Sequence, residues 1–201
     1  DVYKRQRKHM KKTLTLVLSL ALAVAIGIGG TLAWLTAQTS TITNTFTVGQ
    51  VDITLQEKEI GKNTFLDAET EAKAQTYKVS PGVNIEKEAK VVVKANSEAC
   101  YLFVKVVKGN SFDANFAYTI AAGWTELTEG SGIYYRTVDA TTSDVSYEVL
   151  AENTITVKDS ITTLDANATL SFQAYAIQSA GITGTESKTP VQVAWETVSA
   201  T

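Results

Sequence analysis

Short runs of alternating or β-branched residues, broken by turn residues at roughly ten-residue intervals, constrain this chain more than any other feature. "VDITL" sets Val51, Ile53 and Leu55 against Asp52 and Thr54. "KVVVKA", "CYLFVKVV", "IYYRTV", "NTITVKD" and "TLSFQAYAIQ" carry the same types, which suit a pleated, half-buried surface. Ser80-Pro81-Gly82, Gly109-Asn110, Glu129-Gly130-Ser131-Gly132 and Ala180-Gly181 separate them as turns. The only two prolines, Pro81 and Pro190, lie at turn or boundary positions, where strands tolerate them. Many short strands at this spacing predict an all-β fold, an antiparallel β-sandwich or jelly roll rather than βαβ units, over residues 51–201.

One or two short helices are expected beside it. "DAETEAKAQ" (67–75) is rich in Ala, Glu and Lys and predicts a surface helix. "TPVQVAWETV" places Thr189 as a cap and Pro190 at the first helical position. Val191, Ala194, Trp195 and Val198 follow at helical spacing, so a final amphipathic helix packing Trp195 onto the sandwich is expected, with a terminal strand as the alternative.

The start of the chain has a different character. Arg7, Lys8, Lys11 and Lys12 precede eighteen uncharged residues, Thr13 to Gly30. Basic start, apolar middle and small-residue end make a helical signal peptide, read here as residues 10–33. A membrane span needs about 20 apolar residues, and Gly27, Gly29 and Gly30 interrupt this one. Cleavage between Ala33 and Trp34 is expected, with Ala37 as the nearest alternative; the membrane is met only through the uncleaved signal. Residues 1–9 are read as a non-native leader before Met10. "DVYKRQ" back-translates to the mosaic-end adaptor of a transposase-made sequencing library.

Charge and residue usage then exclude function classes. The chain has 18 Lys and Arg and 21 Asp and Glu; six bases and one acid lie before Trp34, leaving twelve against twenty, a net charge of −8 over 168 residues. That opposes a nucleic-acid partner, which clustered bases would have to neutralise. The only His, His9, lies in the leader, so residues 34–201 hold neither a His-based triad nor His ligands for zinc. No catalytic, cofactor or metal site is expected, and the protein is read as not an enzyme. Cys100, alone in an apolar strand, is read as a small core residue. The carboxylates of "DATTSD" (139–144), "LDAET" (66–70) and "EKEAK" (86–90) lack calcium-loop spacing and are read as solvated loops. Trp124, Tyr134, Tyr135, Tyr175 and Trp195 are read as core and edge packing.

Between signal and sandwich lies an arm, residues 34–50. "TAQTSTITNTFT" (36–47) holds six threonines in twelve residues and little to bury, so it can extend but not stabilise itself. One reading is a loose tail. The other is a donor strand that adds to an open sheet edge of the next subunit, with Ile42, Phe46 and Val48 on one face as pocket-fillers. Head-to-tail addition of this kind does not close and builds filaments. While the signal remains, the arm is tethered, so the peptidase acts as the assembly switch.

The ordered set "GGTLAWLT", "TNTFTVGQVDITL", "VSPGVNIEKEAKVVVKANSEACYLFVKV", "GW", "IYY", "FQAYAIQ" and a late "AW" resembles the TasA/camelysin group, over nearly the whole chain after Met10. The resemblance implies a jelly-roll sandwich, export with processing by a SipW-type signal peptidase, and self-association into fibres of the biofilm matrix or cell surface of a Gram-positive bacterium, beside other matrix proteins. It also implies a camelysin-like secreted metalloprotease as an alternative; a membrane-anchored monomeric adhesin, retained by an uncleaved signal, is a further one. The protease reading conflicts with the missing HExxH and the absence of His after the leader.

Overall fold

A computed structural model describes residues 50–69, 75–160 and 168–200. They belong to one compact unit, Val48–Thr201. The chain is all-β with antiparallel sheets and two helices. The strands are β1 (Ile53–Lys58), β2 (Phe65–Asp67), β3 (Asn84–Glu86), β4 (Ala89–Val93), β5 (Cys100–Lys108), β6 (Phe116–Ala117), β7 (Thr125–Glu126), β8 (Ile133–Val138), β9 (Val145–Glu148), β10 (Thr154–Val157) and β11 (Leu170–Gln178). The helices are α1 (Phe112–Asn115) and α2 (Pro190–Ser199).

Two four-stranded sheets, ordered β2-β1-β4-β9 and β11-β5-β8-β7, face each other. The chain crosses between them from β4 to β5 and from β8 to β9, as in a β-sandwich. Period-2 alternation decides which side chains enter the core. Val91 and Val93 of β4 meet Leu102 and Val104 of β5, all at most 1% exposed, and Cys100 lies among them. A three-stranded sheet, β3-β10-β6, adds a second core cluster around Phe112, Phe116, Leu150, Ile155 and Val157. Ile120 and Phe172 touch both clusters and join them.

The terminal helix forms where the cap signal placed it. Thr189 Oγ1 accepts from the Gln192 amide while Gln192 Oε1 accepts from the Thr189 amide, a reciprocal capping box. Trp195 packs on the outer face of the second sheet, its ring 5.4 Å from Phe103 and 5.2 Å edge-on from Tyr175. The helix expected at 67–75 does not begin there: Asp67 ends β2 and Ala68 and Glu69 form a turn, while 70–74 lie outside the described residues. Pairing of Lys58, Glu57 and Gln56 with Phe65, Leu66 and Asp67 overrides the local helix preference. The second helix is instead the single turn α1, where Phe112 anchors the smaller core and stacks on Phe116 at 5.2 Å.

Among the described residues, no helix is long and apolar enough to cross a membrane. The signal at 10–33, the Ala33–Trp34 bond, and the arm residues Ile42, Phe46 and Val48 all lie outside the described residues, as does the leader 1–9.

An open sheet edge above an apolar cavity

β11 is the most unusual edge of the molecule. It pairs with β5 along all nine residues, Leu170 opposite Lys108 through Gln178 opposite Cys100, and with no described strand on its other side. The amide of Ser179 donates to the Ala99 carbonyl at 2.9 Å, and that of Gly109 to the Thr169 carbonyl at 2.9 Å. These fix the phase of the ladder: odd-numbered residues of β11 exchange bonds with β5, and even-numbered ones aim their N–H and C=O outward. The outward groups therefore belong to Leu170, Phe172, Ala174, Ala176 and Gln178. Phe172, Ala174 and Ala176 also turn their side chains to the core.

Natural edges are blunted by shortness, charge, proline or bulges. β7 has two residues, β2 has three, and β9 has four and carries Glu148. β11 has nine residues, no charge and no proline. Among the described residues nothing pairs with its outer side.

Beside this edge lies a cavity of about 560 Å³. Leu55 and Leu66 of the first sheet, Leu170 and Phe172 of β11, and Phe112 and Ile155 of the smaller core line it. One polar cluster interrupts the apolar wall. Lys87 is 5% exposed and its Nζ donates to Glu57 Oε1 at 2.7 Å. The same oxygen accepts from Gln75 Nε2 at 2.8 Å and from the Tyr77 hydroxyl at 3.0 Å. The ammonium also lies 5.3 Å from the Tyr77 ring centre and 5.7 Å from that of Phe172, within cation–π range. Burial first, then the Glu57 charge, hold the Tyr77 hydroxyl well above its usual range, so it stays a donor.

This corrects the reading of "EKEAK" as a solvated loop. Glu86 ends β3, and Ala89 and Lys90 open β4. Lys87 and Ala89 turn inward, while Glu86 and Glu88 turn out to pair with Lys58 at 2.6 and 3.3 Å. Alternation at a sheet boundary, which a charged composition conceals, decides it. In "LDAET", Leu66 and Asp67 belong to β2, while Ala68 and Glu69 form an exposed turn. "DATTSD" is exposed at Asp139 and Asp144, and Asp144 caps the Ala95 amide at 2.9 Å and meets Lys94 at 3.2 Å. Among the described residues, no cluster of three or more His, Cys, Asp or Glu is arranged to hold a metal.

The opposite side of the sandwich is sealed. Arg136 faces the core from β8, its guanidinium carbon 4.0 Å from the Tyr147 ring centre and 5.2 Å from that of Trp124. Trp124 Nε1 donates to the Glu148 carbonyl at 2.8 Å. Gly123, at φ +87°, makes room: a Cβ there would come within 2.7 Å of Arg136 Nη2. Tyr134 and Tyr135 lie on the same strand, half-buried, and Tyr135 is 6.4 Å from Phe103.

No family model, no curated protein and no solved structure matches this chain.

Proposed function

We propose that this is a secreted structural protein of a bacterial biofilm matrix or cell surface, which assembles into fibres when the arm of one copy adds to β11 of the next. The observation that carries the reading is the nine-residue edge of β11, uncharged, proline-free and without a described neighbour beside a largely apolar cavity. An arriving strand finds outward main-chain groups for affinity and a cavity for alternate side chains. The arm supplies Ile42, Phe46 and Val48 at the spacing such a cavity accepts. The resemblance to the TasA/camelysin group supports export through a SipW-type peptidase, with cleavage near Ala33–Trp34 releasing the arm.

N-terminal sequencing of secreted protein, with electron microscopy of the same sample, tests this. A start at Trp34 together with filaments is the expected result. Ala176→Pro removes one outward N–H while leaving the pairing of β11 with β5 in place. It is expected to give folded monomers. Filaments from that variant equal to those of the parent, or a processed parent that stays monomeric, sink the proposal.

A further inference from the structure

We infer that the Glu57–Lys87 pair sets the register of the entering strand by requiring Asn44 of a second copy at the level of Phe172. The inference rests on the strand-addition reading above. Toward the described residues the pair has hydrogen-bonding capacity left over. Lys87 Nζ has three protons and gives one to Glu57 Oε1; among the described residues the others meet only the faces of Tyr77 and Phe172. Glu57 Oε1 accepts three bonds, while Oε2 accepts none from the described residues. A donor and an acceptor therefore sit together beside the open edge. A carboxamide matches both, its oxygen accepting from Lys87 and its NH₂ donating to Glu57 Oε2.

The arm sequence has one residue of this kind in the right place. In an extended chain, residues of equal parity share a face. The even face of 36–48 reads Ile42, Asn44, Phe46, Val48 at its end, and the odd face reads Thr39, Thr41, Thr43, Thr45, Thr47. Only the even face has apolar side chains for the cavity, and on it Asn44 stands between Ile42 and Phe46. A slip by one residue offers threonines to the cavity. A slip by two sets Ile42 or Phe46 against the pair, so that the entering strand covers the buried Lys87 ammonium and the half-buried Glu57 carboxylate without giving them a partner. One buried polar residue in an apolar seam thus selects one alignment, as a single buried Asn does between helices.

The test uses the processed chain from Trp34 and reads the critical concentration for filament formation. Asn44→Leu is expected to raise it at least tenfold, and Asn44→Thr, which keeps a donor and an acceptor, less than threefold. In a Glu57→Leu/Lys87→Met background the penalty of Asn44→Leu is expected to vanish. An Asn44→Leu chain that assembles within twofold of the parent, in the otherwise unaltered body, overturns the inference, and this comparison needs no change to the folded domain. An additive cycle, with the same Asn44→Leu penalty in both backgrounds, also overturns it. A parent that forms no filaments overturns the strand-addition reading itself. A monomer whose own arm is protected from protease shows the groove filled by its own chain and removes the second copy from the inference.

Discussion

Lys87 shows how far a single residue's role depends on where the chain puts it. Its ammonium is desolvated and held by one carboxylate and two rings. Removing one member of such a pair leaves a buried charge uncompensated. Glu57→Leu, which leaves the buried ammonium without its carboxylate, is expected to lower unfolding free energy by about 3 kcal/mol, and adding Lys87→Met to restore at least half, because the ammonium's desolvation cost then disappears. Urea denaturation of the three variants checks this. Cys100 is the simpler case. Full burial pushes its thiol from 9.0 up to about 11. The raised value means the folded state disfavours the thiolate. Its contribution is fully present below pH 9 and is lost as pH rises through about 11. That contribution is on the order of 2 kcal/mol. At pH 8 the thiol is expected to react with alkylating reagents only as fast as the protein unfolds. Labelling much faster than unfolding contradicts the burial. Cys100 was legible as a core residue because its neighbours are apolar; Lys87 was not, because Glu86, Glu88 and Lys90 around it read as a solvated run.

At the scale of elements, the long signals translated well. β8 coincides with "IYYRTV", and β5 and β11 with "CYLFVKVV" and "TLSFQAYAIQ" to within a residue or so. The short strands β2, β3, β6, β7 and β9 have two to four residues and no period to read. Partners create them: β3 exists as the neighbour of β10, and β9 as the neighbour of β4. α2 shows the reverse, a helix encoded locally by its cap and proline. Thr189→Ala is expected to cost about 1 kcal/mol and Trp195→Ala about 3 kcal/mol. The first loses a cap and the second the packing on Phe103 and Tyr175. Thermal unfolding of the two variants, with the larger drop for Trp195→Ala, measures the order.

Over the described residues of the sandwich, Trp124, Arg136 and Tyr147 close one side by stacking, while on the other side β11 has no described neighbour beside the cavity. Hydrogen exchange is expected to divide accordingly. In the monomer the outward amides of Phe172, Ala174 and Ala176 exchange at least tenfold faster than those of Ser171, Gln173 and Tyr175, which bond to β5. In filaments the difference is expected to disappear. Equal rates in the monomer contradict the open edge.

The sequence by itself determined the β class, the turns, the principal strands, the capped final helix and the apolar identity of Cys100. Each follows from periodicity or from contacts within a few residues, where local sterics and hydrogen bonding dominate. For the arm it left two readings, a loose tail and a donor strand, because the threonine-rich stretch has little to bury. Tertiary structure alone decided that β11 lies at an edge, which of its residues aim outward, and that Glu57 and Lys87, 30 positions apart, meet inside an apolar wall. Strand order and burial arise from pairings distant in sequence. The same nine residues would read identically in the centre of a sheet, and only the absence of a described neighbour beyond them makes an edge.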